Sequence, residues 1–525
     1  MTLRDSGRHL HGLLELAAAE NPDAPVVTFV GDRTYTGNEL LDSVLRVAGG
    51  LRAAGVQVGD RVAMMVGNRV EFLTTYLAIS SLGAVSVPLN TALQGDVLEY
   101  MLGSVAPCRL IYEEPFAAQV LPAAEQSRAV TDLWCIGEPA PDTGAAPFGS
   151  LLESEPLAGS YPAQPWELMS ILFTSGTTGP SKGVMWSHAT AFQVAEVSTW
   201  VMGYTKDDII YTCLPLFHIN ALFTAFIAAL QQRAPVVVAD RFSASAFWAQ
   251  IRDHGVTVTN MLGAIGSILW RQDPVAEEKV HNLRLAMVVP FPVGNDKAFE
   301  ERFETRITEL YGSTDTGIPL GVPFGQSRPG SCGIVTPGWE VMLANADDEP
   351  VPPGEPGELL TRPTRPFVGQ LGYWNMPEKT WEAHRNCWFH TGDVLRQDDD
   401  GWYHYVDRAK DALRVSGENV SSFEVEQVLI RHPLVLEAAV YAVPSELGED
   451  SVMAAIVVSD PDRFEMDDLV QFAVPRLPYF AVPRYVDIVT ELPKTSTQKV
   501  RKAALRERGI TESAFDGGPR RRNTR

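Results

Sequence analysis

The sequence predicts an α/β fold: a large N-terminal domain of αβαβ-layered sheets, a β-rich subdomain at its end, and a small α+β C-terminal domain. Three observations predict it. Helical and strand-like patterns alternate through the long N-terminal part of the chain. Their strands are short, uninterrupted apolar runs, as a parallel sheet covered on both faces requires. The composition then shifts twice, to turn-rich short strands after Gly330 and to a compact α/β pattern after Asp407. At 525 residues the chain exceeds a single hydrophobic core, so more than one unit is expected.

Each element follows in turn. "TYTGNELLDSVLRVAGGLRAAG" (34–55) opens with a capping-box pattern, Thr36 followed by Glu39, and continues with apolar residues at helical spacing. "DRVAMMV" (60–66) is an apolar strand, "EFLTTYLAISSLGA" (71–84) a helix and "VSVPLN" (85–90) a strand. Residues 137–165, rich in Pro, Gly, Ala and acidic residues, are expected to run over the surface. "ILF" (171–173) is a strand, and "SHATAFQVAEVSTW" (187–200) is a helix with Ser187 at its N-cap. A small-residue loop lies between them. "TPGWEVMLANADDEPVPPGEPGELLTR" (336–362) alternates short strands with turn residues, marking a β-rich subdomain over about 330–405. Beyond "DRAKD", "SSFEVEQVLIRHP" (421–433) is helical, and "AAVYAV" (438–443) and "SVMAAIVV" (451–458) are strands. The predicted domains are therefore 1–407 and 408–525.

Charge and cysteine content exclude several function classes. Lysine and arginine number 43 against 65 aspartates and glutamates, a formal net charge of −22 at pH 7. Such a chain is repelled by polyanions, so no nucleic-acid partner and no anionic membrane surface is expected. Any anionic ligand must be held by a local cluster of donors. Cys108, Cys135, Cys213, Cys332 and Cys387 are odd in number, scattered and without metal-ligand spacing, which suits a reducing compartment. "MTLRDSGRHLHG" lacks the apolar core of a signal peptide, and no apolar run reaches membrane-spanning length. A soluble, cytoplasmic protein without membrane insertion is expected. The basic end "PRRRNTR" is expected to be a solvated tail.

The loop in "LFTSGTTGPSKGVMWSH" (172–188) is the first functional signal. A glycine-rich loop after a strand leaves backbone N–H groups free to cradle phosphate oxygens. Hydroxyl side chains add donors, and Lys182 adds a positive charge. The spacing of Gly176 and Lys182 matches a Walker loop, but Ser181 replaces its second glycine and Gly183 follows the lysine. This is a phosphate loop of another kind.

"FTSGTTGPSKGV" is similar to the phosphate-loop signature of the acyl-adenylate-forming superfamily, the AMP-dependent synthetases and ligases. Further segments follow in that superfamily's order: "PLFHINA" (215–221), "YGSTDTG" (311–317), "GYWNMPEKT" (372–380), "WFHTGD" (388–393), "DRAKDALRVSGENVSSFEVE" (407–426) and "PKTSTQKVRK" (493–502). Several are weak singly; in register over most of the chain they are specific. The "FHINA" segment most resembles the acyl- and aryl-CoA synthetases.

The resemblance implies ATP, Mg²⁺ and CoA as ligands, and a carboxylic acid that attacks the α-phosphate of ATP and expels pyrophosphate. It sets Thr174, Ser175, Gly176, Thr177, Thr178, Gly179 and Lys182 around the leaving phosphates. Tyr311 would lie against adenine, Thr314 near the α-phosphate and Asp315 near Mg²⁺. Asp393, helped by Arg408, would accept from the ribose hydroxyls. Lys499 would bridge the substrate carboxylate and the α-phosphate, and His218 would gate the acid site or orient its carboxylate. Lys410 is the hinge position about which a mobile C-terminal domain would turn to present "VSGENVSS" for thiol transfer. His218, Asn220, Gly263, Gly266 and Gly317 are the candidate acyl-pocket residues, beside the small Ala264. With no acidic residue in place of His218, a bulky, uncharged acid is expected: aryl, polycyclic, terpenoid or medium-chain acyl.

Three departures from the superfamily's pattern stand out. Asp315 occupies a position usually held by Glu, one methylene longer. "VVPFP", with Pro290 and Pro292, stands where a glycine-containing segment usually lines the adenine and acyl sites. Gln498 precedes Lys499 in place of a glycine. A two-step acyl-CoA ligase is the leading expectation. An enzyme that passes acyl-AMP to a separate acceptor is the alternative, and an inactive ligand-binding homologue the third. The acid, the acceptor and the oligomeric state, a homodimer included, stay open at the level of sequence.

Overall fold

The computed structural model describes residues 9–174, 181–291, 296–408, 413–415, 418–444, 450–477, 481–495 and 499–518, except the side chains of Arg414, Glu418 and Asn419. Two compact units divide the chain. The first runs to Thr174, resumes through Glu340 and includes Thr361–Phe389; the second holds Val341–Leu360 and the chain from His390 onward.

Among the described residues of the first unit, two large sheets form the scaffold. One orders its strands 306–308, 285–289, 258–262, 210–212, 236–238, 25–29, 34–36 and is parallel except at its last pair. The other orders them 370–373, 182–187, 168–174, 85–88, 61–65, 108–113, 130–136, 146–147, parallel from 168–174 onward. The predicted helix over 34–55 is Gly37–Ala53, and its capping box is complete: Glu39 N donates to Thr36 Oγ1 and Thr36 N donates to Glu39 Oε2. Its Leu40, Val44, Val47 and Leu51 are buried in one cluster with Phe72, Tyr76 and Leu77 of the helix Val70–Ser81. Helices thus cover the parallel strands, as their apolar composition requires.

One element differs from the sequence expectation. The loop after β1 (Leu168–Thr174) does not lead straight into a helix; a second strand, β2 (Lys182–Ser187), comes first. β2 pairs antiparallel with β1, Thr174 facing Lys182 and Phe173 facing Gly183, and its other edge pairs with the strand Gln370–Tyr373. Pairing on both edges makes a strand of a segment whose own composition suggests a loop. Gly183 suits the crowding, since a Cβ there would lie 2.7 Å from Ile171 Cγ2. Helix α1 (His188–Met202) then starts where predicted, with Ser187 Oγ accepting from Thr190 N at 3.1 Å.

Further along, β3 (Leu310–Ser313) and β4 (Gly317–Gly321) form a tight hairpin, and β5 is the strand Gln370–Tyr373. Strands at Ile334–Val335, Trp339–Ala344 and Pro356–Pro363 match the β-rich composition of that region. In the second unit β6 (Phe389–Gln397) pairs antiparallel with β7 (Tyr403–Arg408). Helix α2 (Ser422–Ile430) then packs with strands Val435–Pro444 and Asp450–Val458, and helix α3 (Lys502–Arg508) follows near the end. Val425, Leu429, Val440, Ile456 and Val486 form that unit's own core, an α+β arrangement as expected.

Candidate active site

The candidate residues gather into one cluster in each unit. In the first, the β3–β4 hairpin presents "YGSTDTG". Ser313 N donates to Thr316 Oγ1 and Thr316 N to Ser313 Oγ, each at 3.2 Å, so the turn that projects Thr314 and Asp315 is tied by its own hydroxyls. Gly312 permits this closure, because a Cβ there would overlap the Gly317 carbonyl oxygen, and Gly317 adopts a left-handed φ of 70°.

Three of the motif segments then converge on Tyr373. Its hydroxyl donates to Asp315 Oδ1 at 2.6 Å, and Lys182 Nζ lies 4.5 Å from its ring centroid. Trp186, four residues beyond Lys182 on β2, donates from Nε1 to Thr314 O at 2.8 Å. Tyr373 is itself buried. Burial, reinforced by the neighbouring Asp315 charge, pushes its phenol above the ordinary value, so the hydroxyl stays a donor. Among the described residues no carboxylate pairs with Lys182; its charge rests on an aromatic face, where it remains available to an anion. Sequence reasoning missed Tyr373. The only signal was its place in "GYWNMPEKT", since its partners are remote in the chain.

The acid-side candidates lie on neighbouring elements. His218 is half-buried, its ring edge-on to Phe217 with centroids 4.6 Å apart. Asn220 opens a π-helical segment, Asn220–Ile227, a rare geometry that recurs at functional sites. Asn260 Nδ2 donates to the Asn220 carbonyl oxygen at 3.2 Å and to its Oδ1. Phe223 of the same segment packs on Trp186 at 5.1 Å, which joins it to the Thr314 turn.

Gly263 and Gly266 have a packing cause for their small size. A Cβ on Gly263 would overlap the Pro290 carbonyl oxygen, and one on Gly266 would come within 3.0 Å of Val288 Cγ1. Gly263→Ala is accordingly expected to lower stability by about 1–3 kcal/mol, read as a lower thermal midpoint. An unchanged midpoint with altered acid preference would show that Gly263 acts on the acid rather than on packing.

In the second unit, Asp393 faces Arg408 across the β6–β7 pair and is buried. Arg408 Nε donates to Asp393 Oδ1 at 3.1 Å, and Tyr405 OH donates to the same oxygen at 3.4 Å. Thr391 Oγ1 accepts from Asp393 N, and Gly392 N donates to Glu358 Oε1, so the "HTGD" turn is braced from both sides. Lys499 is exposed, and its backbone meets Thr495: its N–H donates to Thr495 Oγ1 at 3.1 Å and its carbonyl accepts from Thr495 N at 2.7 Å. Ser175, Gly176, Thr177, Thr178, Gly179, Pro292, Lys410, Gln498 and the basic tail lie outside the described residues.

Among the described residues no group of three or more His, Cys, Asp or Glu is placed to hold a metal, and no helix is long and apolar enough to cross a membrane. The single carboxylate Asp315 nevertheless suits Mg²⁺, which commonly takes one or two carboxylates and completes its shell with water and substrate phosphates.

A family model described as AMP-binding enzyme matches residues 14–374, and the AMP-binding enzyme C-terminal domain matches residues 424–499. The chain belongs to the AMP-binding enzyme family. Among curated relatives of this AMP-binding enzyme, the crotonobetaine/carnitine–CoA ligase of Salmonella arizonae is 29% identical over 518 residues, covering 95% of this chain and 99% of the relative. Among solved structures, an anthranilate CoA ligase in complex with anthranoyl-AMP superimposes with a TM-score of 0.90 at 26% identity, covering 97% of this chain and 98% of that one. The ATP-bound MatB of Rhodopseudomonas palustris gives a TM-score of 0.84 at 26% identity, covering 95% and 98%. The protein is a ligase of the AMP-forming acyl-CoA synthetase type.

Proposed function

We propose that this enzyme joins a bulky, uncharged carboxylic acid to ATP as an acyl-adenylate and then transfers the acyl group to CoA. The observation that carries the proposal is the meeting of Lys182, Thr314 and Asp315 around Tyr373. A cation and a hard anionic oxygen stand there, on either side of the Tyr373 ring and hydroxyl, beside the turn that carries Thr314.

In the first half-reaction a carboxylate oxygen attacks the α-phosphorus, and the bond to the bridging oxygen breaks as pyrophosphate leaves. Negative charge spreads over the phosphate oxygens, so fixed positive charge lowers the barrier most. Thr174 to Lys182 would wrap the departing phosphates, Thr314 would donate to the α-phosphate and Lys499 would bridge it to the acid. Magnesium, when bound, supplies charge neutralisation on those oxygens, and Asp315 would hold it. Tyr311 would cover adenine, and Asp393 with Arg408 would take the ribose. In the second half-reaction the CoA sulfur attacks the acyl carbon, AMP leaves, and the thiol proton passes to solvent. Residues 408–525 would turn about Lys410 between the two. His218, Asn220 and Gly317 would border the acid.

The CoA ligases among the relatives support the overall reaction and leave the acid open. Mass spectrometry of products from ATP, Mg²⁺, CoA and a panel of bulky uncharged acids, with crotonobetaine and carnitine as comparators, tests the proposal. Acyl-CoA from an uncharged acid is expected. Persistent acyl-AMP despite CoA would instead favour transfer to a separate acceptor.

Tyr373→Phe is expected to keep the fold but loosen Asp315. A hydrogen bond to a charged group contributes about 1.5–3 kcal/mol, so the Mg²⁺ concentration for half-maximal ATP binding should rise roughly tenfold. Titration calorimetry with ATP at varied Mg²⁺ checks this directly. Unchanged Mg²⁺ dependence would show that Tyr373 does not act on Asp315.

A further inference from the structure

We infer that Lys502 and Glu426 form a positioning ion pair that fixes the loop carrying Lys499, so that Lys499 reaches the reacting atoms only while the pair is intact. The inference rests on the proposed role of Lys499 in adenylation. Lys502 is the first residue of α3, three positions beyond Lys499. Its Nζ lies 2.7 Å from Glu426 Oε1 of α2 and donates to Ser422 Oγ at 2.5 Å. Both charged side chains are only 14% exposed.

The pair is embedded in a continuous network. Glu426 Oε1 also accepts from Val440 N at 2.7 Å. Ser422 Oγ donates onward to Asp407 Oδ1 at 3.1 Å, and Arg408 N donates to the same oxygen at 2.7 Å. Arg408 in turn holds Asp393. Segments 407–408, 421–426 and 499–502 are therefore tied into one body through side chains that are mostly buried. Before Lys502 the backbone is tied back on itself, Lys499 to Thr495 and Arg501 N donating to Pro493 O at 2.7 Å. Lys499 is exposed three positions before Lys502, so the anchoring of Lys502 bears on where Lys499 points.

A buried ion pair is poor evidence for added stability, because desolvation offsets the attraction; its attested use is to fix one arrangement over others. Here the arrangement it fixes is the direction of the Lys499 loop. Misplacing a reacting group by about 1 Å can cost on the order of a hundredfold in rate.

The test is a double-mutant cycle on the full chain, reading single-turnover acyl-AMP formation at saturating ATP and acid. Lys502→Met should lower that rate roughly tenfold to a hundredfold without raising the KM for ATP. Lys502→Arg should restore most of it. In a Lys499→Ala background, Lys502→Met should cost nothing further, because its effect passes through Lys499. Thioester formation from supplied acyl-AMP and CoA should be retained. Glu426→Gln, which keeps shape and the Val440 contact, should repeat the result if Lys502→Met fails to fold. A loss that persists in the Lys499→Ala background, or that strikes both half-reactions alike with a fall in thermal midpoint, would make the pair merely structural and overturn the inference. If Lys499→Ala alone left adenylation intact, the proposed role of Lys499 would fall instead.

Discussion

Lys499→Ala should lower the rate of acyl-adenylate formation by about a hundredfold to a thousandfold, the cost of losing one preorganised charge donor at a developing anion. The reaction brings a carboxylate against a triphosphate, and the protein as a whole is strongly acidic, with a net charge of −22. Its background field therefore opposes both substrates, and locally fixed cations must overcome it. On the proposed reading Lys182 would supply one on the β1–β2 side and Lys499 the other on the acid side. The loss should fall on adenylation alone. Hydrolysis of the acyl-AMP pool does not mimic it when radiolabelled ATP is followed to pyrophosphate in a single turnover. Transfer from synthetic acyl-AMP to CoA should proceed near the parent rate, since the thiol step develops charge at the acyl carbonyl rather than at the α-phosphate. A Lys499→Ala protein that adenylates at full speed would remove Lys499 from the adenylation step.

Much of this architecture is legible in the sequence. The capping box at Thr36 and Glu39, the Ser187 cap and the apolar parallel strands are local signals, and each appears where the sequence places it. β2 was not legible, because "KGVMWS" owes its strand conformation to pairing on both edges rather than to propensity. Tyr373 was hidden for a similar reason: it meets Asp315 from 58 positions away, and nothing in a lone tyrosine tells which carboxylate it will face. The acyl-pocket reading of Gly263 and Gly266 acquires a second cause beside it. Small residues leave room for a ligand or let backbones approach, and at Gly263 the Pro290 carbonyl requires the small residue whether or not an acid lies beside it. The exchange of Glu for Asp at 315 gains a partner it lacked in sequence, since the Tyr373 hydroxyl now orients the shorter side chain.

The second large effect concerns acid. Folding stability should drop steeply as the pH falls below 6.5, driven by His11 and His188. Both imidazoles are almost wholly buried in the first unit, where His11 Nδ1 meets the Ser80 hydroxyl at 3.2 Å and the ring stacks on His9 with centroids 3.9 Å apart. Burial, with the positive charge of His9 and His188 nearby, pushes His11 down to about 2. Burial and then His9 push His188 down to about 3. Burial lowers His9 as well, against the pull of Glu15. The folded state thus keeps these rings neutral while the unfolded chain protonates them near 6.5. Stability is fully present above that value, and each ring removes about 1.4 kcal/mol per pH unit below it until its folded value is reached. Two such rings cost roughly 5 kcal/mol between pH 6.5 and about pH 4.5, a large share of an ordinary folding free energy. Urea unfolding at pH 7.5 and pH 5 measures the slope. A His11→Gln/His188→Leu protein should lose much less stability across that interval than the parent, whatever its stability at pH 7.5. Parallel losses in the two proteins would mean that other groups govern the acid transition and that these histidines titrate freely in the fold.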